Sequence, residues 1–473
     1  FEVFKQQLQF GFFFVLVLTF YGISTKGAIM TKSKDINEKE LEPGEFEAML
    51  PESPPKDKGN AVYFIMLLHG IGTLMAWNMF ITIAPMYFVN YKLKEDINGT
   101  LVDTVYSRQF FSYLGICSQL PNLLLNLINI FMNSKGGLNR RIGISLIIIA
   151  VICLITIIFV DINTSKMVTE FFFFTMFTVV ILNGANGIYQ NSIYGLVAAF
   201  PAPFTNAIVL GNNLCGTFVS IVNIITITMF QDNVKSAAMA YFSIALLTII
   251  ACFVSFFMLP KFEFYNYYIK KHEQEQEKNA SASVVESKTE LYTSTIRQCW
   301  VQCLAIFLLF FVTLTIFPTI MADVKPYREK ETDPYSFFIS EGLFTPITTF
   351  LLFNLFAMIG SFTANFVQWP SPQMIIVPAV IRILMIPLMM FCNFRPSRRT
   401  WPVLITSEYV YIIFAILMSF TSGYFSSLGM MYAPKVVEPS KAPIAGMMSA
   451  FFLICGICGG IAFTFVVTCF IEA

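Results

Sequence analysis

Between Leu182 and Ser220 the chain places carboxamides where an apolar helix should carry none. Asn183, Asn186, Gln190 and Tyr194 follow one another at steps of three, four and four, which lines one helical face with hydrogen-bonding groups. Beyond Pro201-Ala202-Pro203, a second apolar run repeats the pattern with Asn213, Gly216, Ser220 and Asn223. Gly184, Gly187, Gly195, Gly211 and Gly216 add the small surfaces by which membrane helices approach closely. Carboxamides and a phenol offer neutral donors and acceptors, suited to holding a polar solute. A polar stripe in hydrocarbon is costly unless it meets a wet cavity or a partner helix, so this one reads as a solute pathway.

Further candidates lie in other apolar runs. In GIGTLMAWNMFIT, Leu74, Trp77, Asn78 and Ile81 share a face at offsets zero, three, four and seven. Trp77 is mid-run, away from the interfacial belt. A central indole beside an amide can stack on a planar ligand and bond its edge, or can simply pack between helices; both readings stand. Gln119 and Asn122 flank Pro121, either lining a cavity or, the favoured reading, satisfying carbonyls freed by a proline kink. Asn354, Ala357 and Ser361 share a face, and Phe317-Pro318 marks another kink. Arg382 is an intramembrane cation whose partner is Glu408 or backbone carbonyls. His69 reads as a hydrogen-bonded packing residue.

These residues carry no bond-breaking chemistry. The two histidines give no zinc or triad arrangement, and the ten cysteines lie nearly all in apolar runs as small buried residues. Cys455 and Cys458 have CxxC spacing, but in a glycine-rich run without flanking cations. No enzyme, metal site or cofactor is expected. Glu341 and Glu408 stand towards the ends of their runs, so no carboxylate sits where proton or sodium coupling usually places one. There is no P-loop either. A passive carrier is favoured.

The elements that must position these side chains are membrane helices. Hydrophobic residues make up 56% and charged residues 12%, about half the roughly 25% of a soluble domain. The mean hydropathy is +0.68. A net charge of +1 implies no nucleic-acid partner, and the lipid bilayer is the obligatory one. About eleven spans are expected, near 62–90, 109–133, 141–160, 169–199, 206–230, 236–260, 297–321, 337–367, 374–392, 402–432 and 443–470. The fold class is therefore an all-α polytopic membrane protein. Its division is an N-terminal segment and cytosolic tail over 1–60, a six-helix bundle over 61–260, a flexible cytosolic linker over 261–296 and a five-helix bundle over 297–473. Six plus five suggests two bundles that rock about a central site. The apolar run from Phe10 to Ile23 reads as a signal-type segment or, preferably, within 1–29, as translated sequence upstream of a start at Met30. Lys135, Arg140, Arg141, Lys261, Lys270 and Lys271 favour the cytosolic side, which leaves the sequons at Asn98 and Asn163 outside. Arg395, Arg398 and Arg399 run against that assignment.

Taken together, GIGTLMAWNMF, the block from Gln190 to Gly216, LPKFEFYNYY, FNLFAMIG, IRILMIPLMMFCNFRP, SGYFSSLGMMYAPK and AGMMSAFFLICGICGG resemble the equilibrative nucleoside transporter family. The resemblance covers nearly everything from Ala61 onward. It implies a major-facilitator-like fold and facilitative, ion-independent alternating-access transport of nucleosides. It also implies substrate-binding roles for Leu74, Trp77, Asn78, Gln190 and Asn354, with Leu74 and Trp77 packing on the base and Gln190 bonding it. Arg141, Phe317 and Pro318 match gate or near-site positions, and Gly211 and Gly216 match glycines of close helix packing. The departures bear on substrate. The family's Asp and Arg of span eight align with Ala357 and Ser361, its glutamate of span eleven with Pro443, and two cavity positions of span two with Gln119 and Asn122. Neutral bonds from Gln119, Asn122 and Ser361 are then expected to replace an ionic clamp on ribose, which widens the expected substrate range to nucleobases. An organic-amine carrier of the same fold and a non-transporting sensor are the competing readings. A monomer in the plasma membrane is expected.

Overall fold

The computed structural model describes residues 54–472, apart from 98–99, 133–136, 230–232, 283–287, 329–334, 336 and 397. Most of the segment 1–60 and the sequon at Asn98 lie outside the described residues. An apolar chain in lipid must satisfy its backbone N–H and C=O groups internally, and helices do so within one segment. Ten helices among the described residues are long and apolar enough to cross a membrane, and a shorter apolar one stands where the ninth expected span falls. Together with the linker helix they run α1 (Lys58–Lys92), α2 (Val105–Phe131), α3 (Gly137–Asp161), α4 (Val168–Val197), α5 (Ala202–Thr228), α6 (Val234–Lys261), α7 (Glu263–Ala282), α8 (Thr289–Ala322), α9 (Glu341–Thr363), α10 (Ile376–Met390), α11 (Glu408–Lys435) and α12 (Pro439–Glu472). The first six pack chiefly on one another, as do α8 to α12. The two sets meet where α2 and α4 touch α12 and where α5 touches α9 and α11.

A short antiparallel hairpin, β1 (Lys94–Ile97) with β2 (Thr100–Asp103), joins α1 to α2 and marks one end of the molecule. At this hairpin end Lys92 donates to the carbonyls of Val160, at 2.9 Å, and Ile162, while Thr164 donates to the Lys92 carbonyl at 2.9 Å. These bonds tie α1 to the end of α3. Asn163 is exposed in the same loop.

Two expectations change on contact with the structure. The segment 261–296, read as a flexible linker, is helical over Glu263–Ala282. The aromatic run at its start gives the helix a side to bury: Phe264 stacks on Phe204 with ring centres 4.9 Å apart, and Tyr265 on Phe200 at 5.6 Å. Lys270, Lys271 and Glu273 face outward, so the charges that read as a mobile loop are the solvated side of a helix. Burial holds His272 of this helix below its ordinary imidazole range, against an opposing backbone bond at Pro439. That contact carries α7 across to the start of α12. This is the linker end, opposite the hairpin.

The ninth span is not one continuous α-helix. It breaks into Ile376–Ile381, a tight turn at Arg382–Leu384 and Met385–Met390. Arg382 is buried at the break and donates to the Met418 carbonyl and the Thr313 hydroxyl, both at 3.1 Å. Its partners are thus a carbonyl and a hydroxyl, while Glu408 accepts from the Tyr327 N–H. The arginines at odds with the charge rule have structural work at the hairpin end. Arg395 bonds Asp323 at 2.7 Å and Glu472 at 2.8 Å. Burial opposes its charge, but the two carboxylates outweigh burial and hold its pKa above the ordinary value. Arg399 donates to the carbonyls of Met390, Cys392, Phe394, Trp401 and Pro402.

Close helix approach is set by glycines. A Cβ on Gly211 of α5 would fall 2.9 Å from the Gly70 Cα of α1 and nearer still to the Leu67 carbonyl. Gly115 of α2 faces open space. Gly211→Val should therefore abolish the monodisperse peak of detergent-solubilised protein in size-exclusion chromatography, whereas Gly115→Val should leave it intact; equal behaviour of the two would remove this account of the α1–α5 contact.

Candidate functional site

The stripe on α4 separates into two kinds of residue. Asn183 at one end donates back to its own helix at the Val179 carbonyl, 3.0 Å away. Tyr194 at the other end accepts from Asn212 at 3.3 Å, and Asn212 in turn accepts from Thr73 of α1 at 2.7 Å. Between them Asn186 and Gln190, 7% and 4% exposed, have no side-chain hydrogen bond among the described residues. Gly187 lies between these two in sequence. A Cβ there would come within 2.6 Å of the Asn122 Oδ1, so the glycine brings α2 against this part of α4. Asn122 is buried with its own Oδ1 unpartnered, and Gln119 is also without a bond among the described residues. Neither amide repairs the backbone at Pro121; the favoured kink-repair reading gives way because no carbonyl receives them. On α1, Trp77 sits one turn past Thr73, half-buried, with its ring parallel to Phe80 and centres 6.1 Å apart. Leu74 is half-buried beside it in the chain and packs on the same apolar core.

A buried amide left unbonded forfeits about 1–3 kcal/mol. Three such groups, Asn122, Asn186 and Gln190, with the half-buried Gln119 one turn from Asn122, make a surface that can be satisfied by a polar solute.

The other candidates are committed to the protein. Asn354 of α9 donates to Ser220 at 3.3 Å and to the Phe350 carbonyl at 2.9 Å. Gly216 of α5 lies against that amide, leaving no room for a Cβ. Ser361 is fully buried, donates to the Gly423 carbonyl at 3.1 Å and receives Asn213 at 2.7 Å. Asn206 donates to the Ser361 carbonyl at 2.8 Å and to Asn365 at 2.9 Å. Asn206, Asn213 and Ser220, spaced by seven, thus form one edge of a polar seam between α5 and α9. Ala357 lies inside that seam, its backbone against Gly423 of α11. Asn78 has only a long contact, 3.7 Å, to the Cys215 sulfur.

Past Ser220 the seam opens into a cavity of about 670 Å³ at the hairpin end, lined among others by Ile81, Met86, Val219, Asn223, Pro318 and Phe350. Pro318 therefore faces the cavity, while Phe317 stacks on Phe353 with centres 3.8 Å apart. No carboxylate is among the lining residues. Arg141 stands at the linker end, donating to the Asn129 carbonyl and Oδ1, both at 3.2 Å. The candidate residues omit Asn126, Asn129, Asn191 and Asn206. The spacing of Asn122, Asn126 and Asn129 by four and three was a legible signal for two of them.

Comparison with known proteins follows the same direction. A family model described as "Nucleoside transporter" matches residues 176–469. The chain is 30% identical over 463 residues to equilibrative nucleoside transporter 1 of Homo sapiens, covering 88% of this chain and 99% of that protein. It is 27% identical to equilibrative nucleoside transporter 3 of Rattus norvegicus, with 86% and 89% covered. Among solved structures, the major facilitator superfamily proton:xylose symporter XylE superposes with a TM-score of 0.58 at 7% identity, covering 86% of this chain and 88% of that one. That likeness shows the major-facilitator fold.

Bonded and unbonded amides should separate by measurement. Asn354→Ala should lower the melting temperature of the solubilised protein by a few degrees, since it removes two bonds from the seam, each worth about 1 kcal/mol. Gln190→Ala should leave the melting temperature unchanged or raise it. A loss for Gln190→Ala as large as for Asn354→Ala would show that Gln190 supports the fold.

Proposed function

The chain belongs to the equilibrative nucleoside transporter family, and from that premise we propose that it moves nucleosides, and nucleobases with them, down their gradients across the plasma membrane. The observation that carries the reading is the group of unbonded amides, Gln119, Asn122, Asn186 and Gln190, where α2 meets α4 at Gly187. A nucleobase is a planar ring with donors and acceptors on its edge. Trp77 supplies the face, and Gln190 and Asn122 supply amides, each able to donate and accept at once. Asn78, Asn354 and Ser361 act on the pathway by holding helices in register.

The rocking of two bundles, 61–260 against 297–473, exposes this site alternately. Pro318 and Phe317 form the hairpin-end gate above it, and the α5–α9 seam closes the way to the linker end. Arg141 belongs to the linker-end gate. Asn163, exposed in a hairpin-end loop, is the glycan acceptor supported here. The protein works as a monomer, because pathway and gates lie within one chain.

The absence of carboxylates from the cavity lining favours a neutral solute over an organic amine. The same feature favours uptake without ion coupling, since there is no acidic group to carry a proton.

In cells with surface expression verified, uptake of labelled adenosine, uridine or hypoxanthine should exceed background and persist when sodium is replaced or a protonophore is added. Gln190→Ala and Trp77→Ala should each raise KM for adenosine by about ten-fold, the worth of one bond or stacked face lost to the substrate. No saturable uptake of any of the three solutes would end the carrier reading. A requirement for sodium or for a proton gradient would end its ion-independence.

A further inference from the structure

Resting on the reading of an alternating-access carrier, we propose that Asn191 is the latch of the linker end: its carboxamide holds α4 to α12 in the conformation seen here and releases when the molecule turns over. Asn191 follows Gln190 in the chain but serves a different purpose. It is fully buried and every polar atom of its side chain is engaged.

The bonds form one directed chain through three helices of the first set. Arg141 of α3 donates to Asn129 of α2. Asn129 donates to the Asn191 Oδ1 at 2.7 Å and to Ser192 at 3.0 Å. The Asn191 Nδ2 carries two hydrogens, and it has two acceptors: the Asn126 Oδ1 at 2.7 Å and the Met447 carbonyl at 2.8 Å. Met447 alone belongs to the second set. The chain therefore ends in a single bond across the seam.

Its neighbours make that bond releasable. A Cβ on Gly446 of α12 would lie 2.6 Å from the Tyr194 carbonyl of α4, and one on Gly195 would lie 2.8 Å from the Met447 Cγ. Small residues thus let the two helices touch without interdigitated side chains that would have to be pulled apart. Parting frees one Nδ2 hydrogen of Asn191, at an end of the molecule that then opens to water. The Met447 carbonyl sits within a helix and has a second lone pair for its own ladder, and Asn191 keeps Asn126 and Asn129 on its own side. Nor does any charge change partner in this bond. An element with a partner in both arrangements, the Met447 carbonyl in one and water in the other, is what a two-state gate requires.

The test is the distance between the two sets at each end, read by electron–electron resonance of nitroxide pairs on purified protein in which exposed Cys469 is replaced by Ser. One pair is placed at Arg140→Cys and Lys435→Cys at the linker end, and another at Lys166→Cys and Lys325→Cys at the hairpin end; all four positions are exposed. Otherwise unaltered protein should show short and long populations at both ends, redistributed by adenosine. Asn191→Ala should raise the long linker-end population about five-fold relative to the short one, the worth of one neutral bond. The hairpin-end distance should shorten in step. Asn126→Ala takes an amide from the same network without touching Met447, and should leave the ratio unchanged. Should Asn191→Ala fail to reach the membrane, Asn191→Ser keeps a local hydroxyl but cannot reach Met447, and should give the same shift. No shift in the Asn191 variants, or an equal shift in Asn126→Ala, overturns the latch while leaving the carrier intact. Single distances at both ends that adenosine does not move overturn the rocking carrier and the latch with it.

Discussion

A carboxamide placed in hydrocarbon needs a partner, and the layout of this molecule follows from which amides find one within the protein. Asn183, Asn206, Asn213 and Asn354 are bonded, and they hold helices in place. Asn186 and Gln190 lie between bonded neighbours and are not. The difference is positional. Residues at the ends of the α4 stripe meet the helix itself or α5, and the middle of the stripe flanks Gly187, where α2 packs closely at Asn122 without bonding the stripe. The same residue type thus builds both the walls and the site.

The glycines determine how far that arrangement can move. Gly211 brings α1 and α5 into backbone contact, and Gly360 and Gly423 do the same for α9 and α11. These contacts lie within one helical set, where rigidity serves. The contacts between sets combine glycine with neutral polar bonds, the Asn191–Met447 bond at α4–α12 and several along α5–α9. Stiff bundles with soft seams are the geometry that allows a change of access without local unfolding.

Much of this was legible in the sequence. Apolar continuity located the ten long spans, because lipid forces every crossing into the same element, but α8 begins at Thr289 rather than 297 and α11 at Glu408 rather than 402. The stripe on α4 was visible from its period. Spacing could not tell a bonded amide from a free one, since Asn186 and Asn183 lie on one face and differ only in what stands opposite. The linker helix was hidden by its composition: its charges dominate the segment, and its buried side rests on Phe200 and Phe204, which lie far off in sequence. Likewise, Pro378 and Pro387 mark the ninth span as breakable, but the inward pull of Arg382 toward Thr313 and Met418 depends on helices that only the fold brings near.

The neutrality of the seams has an electrical consequence. A charge carried across the membrane field gains or loses about 2.3 kcal/mol per 100 mV. The buried guanidinium of Arg382 is bonded wholly within its own helical set and travels with it. The cross-seam bonds described here are between amides, hydroxyls and carbonyls, and a nucleoside itself is uncharged. An uncharged solute moves no charge through that field, so the membrane potential does no work on it and its concentration alone decides the direction of net flow.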